Sequence, residues 1–402
     1  MSSSGIVYAS FDRFPAPKGA AVHIRAFVEA LGGAFGGVDL LAIDSGATEP
    51  LPEGVRFHPL KAQGPDLIAQ AMGFRAELAG WWQGRGRADV VHVRSIFEGY
   101  PIARRKERLT EHLVYEVNGL PSIELKYHAP AVAEDDELLS KLVAQEDYLL
   151  GRADLLLTPS AVTAEHLVSR GASRERIRVI PNGVDTGLFS FQEPRPWEGR
   201  PVRLLYSGTM TSWQGVHHAI EACRLLRRDV PALLTLVGPT RRQQRRELLG
   251  LCGELVGEGA VELLEPLPQP ELARLHHVCD VVLVPLPPND RNLVQGCCPL
   301  KLLEAMASGT PVVASDLPVV RAAAEHGAHA LLVRPGSPKA IAEAVRALKE
   351  DPTLGPLLSR QARARIERDF TWARARESLV VAYEEAFGMV RSNTRWSTDA
   401  SA

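Results

Sequence analysis

Five cysteines in 402 residues are too few, and too scattered, for a disulfide framework. Cys223, Cys252, Cys279, Cys297 and Cys298 make an odd set without framework spacing, which points to reduced thiols in a reducing compartment. The adjacent pair Cys297–Cys298 is badly spaced to chelate one ion, and no cysteine–histidine cluster completes a zinc site. Net charge is scarce as well. The 46 basic and 48 acidic residues leave −2, so nothing pulls the whole chain toward nucleic acid or an anionic membrane. No apolar run approaches the roughly 20 residues that a membrane span needs. Met1–Gly5 opens without the charged and then apolar pattern of a signal peptide. The expectation is a cytoplasmic protein without a metal or a resident cofactor.

What is present is a globular composition, 45% hydrophobic and 23% charged, in a chain too long for one ordinary core. Short apolar runs alternate with helical segments throughout. Ile6–Tyr8, Leu40–Ile43, Val90–Val93, Leu113–Val117 and Leu155–Leu157 read as strands in the first half. Val202–Tyr206, Leu233–Val237, Val281–Val284 and Val312–Ala314 follow in the second. Continuous apolar runs between helices suit parallel strands covered on both faces, a doubly wound α/β architecture. The alternation breaks once, at residues 189–201, where Pro194, Pro196, Gly199 and Pro201 cluster. This predicts domains at 1–188 and 202–370 joined by that linker, then a long helix within 371–391 and a disordered tail from Ser392. Two such domains would face a cleft, with ligands beyond the carboxyl ends of their strands.

The richest stretch is Pro299 to Asp316. It reads as a helix that stops at Gly309 and feeds a strand behind Pro311. Glu304 interrupts the apolar face of that helix. A carboxylate there calls for a hydrogen-bonding partner, and either a ligand diol or a structural group would serve.

Four stretches, in this order and spacing, resemble the family-4 group of GT-B glycosyltransferases. They are Ile180–Asp185, Tyr206–Thr209, Lys301–Asp316 and Leu331–Gly336. With the two-domain layout, the resemblance covers most of the chain. It implies two Rossmann-like domains, the first for the acceptor and the second for a nucleotide-diphosphate sugar, with the final helix crossing back to the first. It also implies hexosyl-type transfer to a hydroxyl with retention at the anomeric carbon, and no metal. The sugar nucleotide would be a co-substrate rather than a cofactor.

Residue by residue, the resemblance puts Glu304 on the ribose hydroxyls. Gly208 permits close backbone approach to the diphosphate, and Gly19, in the loop Phe14–His23 beside Lys18, faces it from the first domain. Most relatives carry an arginine where Thr209 stands and a lysine where Gln214 stands. Lys301 is the candidate replacement cation. Relatives also carry a glutamate, eight residues before the ribose glutamate, that touches the sugar; here that position is Gly296. Backbone groups from Gly296 through Cys297, Cys298, Pro299 and Leu300 into Lys301 and Leu302 are candidates for the donor, as are Asn289, Asp290 and Asn292 upstream. Asn118 takes the place of a histidine that contacts the sugar; with Lys301 it is the catalytic candidate. Glu116 and Glu124 flank that loop, either touching acceptor or solvated. Gly238–Pro239 and Glu265–Leu267 border the nucleobase.

Other features keep plain readings beside functional ones. His23 is a packed helix residue before it is a catalyst. Arg104–Arg108 and Trp81–Trp82 are a solvated face and a core pair in preference to a membrane-surface or anionic-acceptor site. Arg241–Arg246 either reaches donor phosphates or is solvated. A sugar-nucleotide epimerase and a degenerate, non-catalytic nucleotide- or partner-binding scaffold stay open as alternatives. The acceptor class is a hydroxyl-bearing saccharide, lipid-linked or small molecule, and no nucleic-acid partner is expected.

Overall fold

A computed structural model describes residues 5–16, 18–129, 134–197 and 199–392. The expectations for the first four residues and for a disordered tail beyond 392 lie outside it; Ser392 itself donates its N–H to Ala34 O at 2.8 Å.

The first sheet holds β1 (Ile6–Phe14), β2 (Val38–Asp44), β3 (Val55–Leu60), β4 (Ala88–Val93), β5 (Thr110–Glu116), β6 (Leu155–Thr158) and β7 (Ile177–Val179). Its order is β3-β2-β1-β4-β5-β6-β7, and its ladders are parallel. The second holds β8 (Val202–Ser207), β9 (Ala232–Val237), β10 (Val261–Leu264), β11 (Val281–Val284), β12 (Val312–Ser315) and β13 (Leu331–Val333). Its order is β10-β9-β8-β11-β12-β13, again parallel. Each sheet is doubly wound: chain order reverses beside its first strand, between β1 and β4 in one and β8 and β11 in the other. Such switch points open a crevice at the carboxyl ends of the strands.

The apolar composition of the central strands follows from burial on both faces. Val281, Val282, Leu283 and Val284 are all sealed from solvent, as are Val90 and Val91. The helix Leu300–Ser308 buries Leu302, Leu303, Ala305, Met306 and Ala307, and it ends at Gly309 with φ +83°. That left-handed turn suits a residue without a Cβ.

The chain divides into two compact units. Among the described residues, one takes those up to Pro181, Val294–Cys297 and Ala373–Ser392; the other takes Asn182–Leu293 and Cys298–Trp372. The break therefore falls before the expected 189–201 linker. Phe189 is buried edge-to-face on His276, 5.6 Å between ring centres. Arg363 Nη1 donates to Phe189 O at 2.9 Å, and Gln192 N donates to Ser308 O at 3.1 Å. Burying one phenylalanine contributes about 2 kcal/mol, and with these hydrogen bonds it anchors this end of the proline-rich segment in the second unit. The last helix, Trp372–Phe387, spends Leu379, Val380 and Tyr383 on the core of the first.

Candidate functional site

In the second unit the site lies where β8 and β11 separate. Gly208 follows β8 and the helix Leu300–Ser308 follows β11, so their neighbourhood is set by strand order rather than by sequence distance. Glu304 is 8% exposed, and among the described residues no hydrogen bond or ion pair reaches its carboxylate. Burial pushes its carboxyl up to about 7, with Lys301 pulling the other way. A buried group of this kind without a partner costs free energy.

Lys301 sits one turn earlier. Its Nζ donates to Gln214 Oε1 at 3.3 Å and lies 4.3 Å from the centre of the Tyr206 ring. Gly208 carries φ +135°, and a Cβ there would stand 2.9 Å from Lys301 Nζ. The lack of a side chain at 208 is what lets the ammonium occupy that space. Thr209 serves the turn through its carbonyl, which accepts from Tyr206 OH at 2.8 Å. Tyr206 is the floor beneath the cation, a role the sequence reading gave only to a strand.

The other expected donor residues divide. Pro299 caps the helix from an extended conformation, and Leu302 is fully buried with its N–H given to Pro299 O. Cys298 O accepts from Asn182 Nδ2 at 2.8 Å, which ties the motif at 180–185 to the helix start. Leu267 is half-buried beyond the carboxyl end of β10. Asn289 and Asn292 serve their own loop: Asn289 Nδ2 donates to Trp213 O at 3.1 Å, and Asn292 Nδ2 donates to Pro287 O at 2.8 Å. Arg291 lies 5.0 Å from the Trp213 ring centre.

Gly296 and Cys297 belong with the first unit. Gly296 has φ +82°, and a Cβ on it would come 2.7 Å from Ser160 Oγ, Thr163 N and Thr163 Oγ1. Any side chain at this position would press on Ser160 and Thr163. The neighbouring Gln295 is fully buried; its Oε1 accepts from Leu120 N at 2.9 Å and its Nε2 donates to Glu124 Oε1 at 2.8 Å. Glu124 is therefore engaged rather than solvated.

The first-unit candidates cluster at the β1/β4 switch point. Gly19 is the first residue of the helix Gly19–Phe35, exposed, with Lys18 at the cap; Pro17 lies outside the described residues. His23, one turn on, is buried with Nε2 2.8 Å from Glu116 Oε1. Asn118 follows β5 and donates from Nδ2 to the same carboxylate. Glu116 is sealed from solvent, so the solvated reading is corrected. Tyr8, His92 and Arg94 complete its surroundings. None of the three was singled out from the sequence. The available signal was a polar residue inside an apolar strand, as in Val91-His92-Val93 and Tyr115-Glu116-Val117. Tyr8 pairs with His92 across the β1/β4 ladder, and their rings stack at 4.4 Å.

The basic runs resolve plainly. Arg104, Arg105 and Arg108 are exposed, while Trp81 and Trp82 pack edge-to-face at 5.0 Å against the first core. Arg245 Nη1 pairs with Glu265 Oε1 at 3.0 Å. Among the described residues no helix is long and apolar enough to cross a membrane, and no group of three or more histidine, cysteine or acidic residues is placed to hold a metal ion.

Two family models match the chain: "Glycosyltransferase Family 4" over residues 17–188 and "Glycosyl transferases group 1" over residues 201–351. The chain belongs to the family-4 glycosyltransferases, with their two-domain GT-B fold. It is 30% identical over 288 residues to a glycogen synthase of Mycobacterium tuberculosis, a match spanning 71% of this chain and 66% of that protein, just under two thirds. It is 30% identical over 316 residues to a D-inositol 3-phosphate glycosyltransferase of Geodermatophilus obscurus, covering 75% of this chain and 67% of the relative. Among solved structures, a sucrose-phosphate synthase from Thermosynechococcus elongatus superposes with a TM-score of 0.76 at 22% identity, over 95% of this chain and 99% of that one. That likeness concerns the fold.

Proposed function

We propose that this chain transfers a hexosyl group from a nucleotide-diphosphate sugar to a hydroxyl-bearing acceptor, with retention. The observation that carries the reading is Glu304, whose buried carboxylate meets no hydrogen-bond partner among the described residues, one helical turn from Lys301 at the β8/β11 switch point. A vicinal diol supplies two donors, and an ionised carboxylate accepts both. The ribose of a sugar nucleotide brings such a diol together with a diphosphate for Lys301. The ammonium would then offset charge growing on the departing diphosphate in a partly desolvated place, where one cation counts for more than in water.

In the step proposed, the bond from the anomeric carbon to the phosphate oxygen breaks and the nucleoside diphosphate leaves with the bonding pair. The acceptor oxygen forms the new bond on the same face and gives its proton to the departing phosphate oxygen. No protein base is then required, which suits Asn118, an amide that neither gains nor loses a proton at working pH. The charge of Lys301 makes a metal unnecessary in this scheme, so chelator treatment is expected to leave turnover intact.

The experiment is incubation of the protein with UDP-, GDP- and ADP-sugars and a range of saccharide, lipid-linked and small-molecule acceptors. Acceptor-dependent nucleotide release with a glycosylated product supports the reading. An altered sugar without release supports an epimerase, and binding without turnover supports a scaffold; either result removes the proposal.

A further inference from the structure

The carboxylate of Glu116 meets five potential donors. Oε2 accepts from Tyr8 OH at 2.8 Å and lies 2.9 Å from His92 Nε2. Oε1 lies 2.8 Å from His23 Nε2, accepts from Arg94 Nε at 3.1 Å and takes the Nδ2 hydrogen bond of Asn118. Two carboxylate oxygens offer about four lone-pair directions. The group is saturated, and every contact on it depends on its remaining an acceptor.

Glu116 stays ionised. Burial by itself would raise its carboxyl, but the adjacent His23 and Arg94 and the hydrogen bond from His92 hold it well below the usual carboxylate range. An ionised carboxylate cannot donate, so His92 Nε2 carries the proton. Burial lowers the His92 pKa and favours the neutral ring, so its Nδ1 is the acceptor for Tyr383 OH at 2.7 Å. The same reasoning fixes Asn118. Its NH₂ faces Glu116, because the reversed amide would press two acceptor oxygens together. Oδ1 is therefore the end turned away from Glu116.

We infer that Glu116 is a positioning residue: its carboxylate fixes the carboxamide of Asn118 so that Oδ1, which can only accept, receives a hydrogen bond from a hydroxyl of the bound sugar. This rests on the proposed reading of Asn118 as a sugar contact. It deepens that reading by setting the polarity of the contact. Position 118 selects a hydroxyl and discriminates against a carbonyl or carboxylate at the same place on the ligand.

The test uses the full chain with Asn118→Asp, Asn118→Ser and Glu116→Gln. The first readout needs no ligand. The side-chain NH₂ signals of Asn118, assigned by their loss in Asn118→Ser, are expected to be shifted from free-amide values, protected from exchange and constant from pH 6 to 8. In Glu116→Gln they should return toward free-amide values. Free-amide signals in the unsubstituted protein would overturn the inference.

The second readout is the pH profile of turnover with UDP-glucose, GDP-mannose and ADP-glucose, each tried separately. Asn118→Asp sets a second carboxylate against Glu116, within a cluster that also holds Tyr8 and Asp12 from β1, His23 from the first helix, His92 and Arg94 at β4, and Tyr383 from the last helix. Like charges this close disfavour double ionisation. Turnover by Asn118→Asp is expected to be about tenfold or more below the unsubstituted protein at pH 8 and to recover toward pH 6, with unchanged thermal stability at pH 6. A pH-independent loss, or one that tracks unfolding, would overturn the proposal. Failure of all three donors in the unsubstituted protein, beside the expected amide signals, would instead defeat the sugar-binding reading and leave the positioning role standing.

Discussion

Lys301 Nζ stands 3.3 Å from the side-chain oxygen of Gln214. A cation carried on one helix thus reaches the neutral amide at the tip of Gln214. The Tyr206 ring beneath it, at 4.3 Å, adds a cation–π contact that holds the ammonium in place.

The first prediction concerns that cation. Lys301→Ala should weaken binding of a nucleoside diphosphate by roughly 10- to 100-fold, about 1.4–3 kcal/mol, the range for a charge-assisted contact. Binding of the bare nucleoside should hardly change. Adding Gln214→Lys to Lys301→Ala should restore most of the loss. Calorimetric titration with UDP, GDP and ADP against their nucleosides measures both. Equal weakening for nucleoside and diphosphate would show that Lys301 does not read the phosphates.

Glu304 makes stability depend on pH. Its carboxyl is near 7 in the fold against 4.5 for the free group, so the folded state holds the proton more tightly. Its contribution is complete below pH 4.5 and is lost as pH rises to about 7, on the order of 3 kcal/mol in all. Glu304→Gln, neutral throughout, should gain on the unsubstituted protein across that window and then run parallel. Urea midpoints at pH 5, 6, 7 and 8 test the sign. The same variant should lose its preference for ribose diols over 2′-deoxy nucleotides.

Gly208→Ala and Gly215→Ala should part company. At 208 the new methyl meets only the movable end of Lys301, so the expected cost is about 1–2 kcal/mol from the left-handed φ, with diphosphate affinity falling as Lys301 is displaced. At 215 the methyl would overlap Pro285 O, a backbone atom at the end of β11. That variant should lose several degrees more in melting temperature. Matching melts for the two would contradict the packing described.

Tyr383→Phe removes the one hydroxyl that His92 Nδ1 accepts from and leaves a buried acceptor bare. The expected cost is about 1–3 kcal/mol, seen as faster amide exchange along β4 and β5.

The sequence revealed the central strands because burial on both faces makes them continuously apolar. The four strands that were not singled out, β3, β7, β10 and β13, are the four sheet edges. Arg56 in β3, Arg178 in β7 and Glu262 in β10 show why: an edge strand keeps contact with water and tolerates charge. β13 spans only Leu331–Val333. Glu304, Lys301, Gly208 and Gln214 stood out through the family resemblance, and the structure makes Lys301 a neighbour of both Gly208 and Gln214. The Glu116 cluster was not. Its members lie far apart in the chain, and only the β1/β4/β5 register puts them on one face. Residues 189–201 misled for a related reason. Proline and glycine report local stiffness and turns, and they say nothing of Phe189 finding a pocket on His276.

The first unit is sewn from three separate stretches of chain. A ribosome delivering the polypeptide from its N-terminus has completed the whole first sheet long before Tyr383 emerges to meet His92. That unit must therefore wait, lacking one covering helix, while its neighbour is made. A single crossover with a relative between residues 92 and 383 would set His92 against the other parent's closing helix, which exchanging the opening lobe and that helix together avoids.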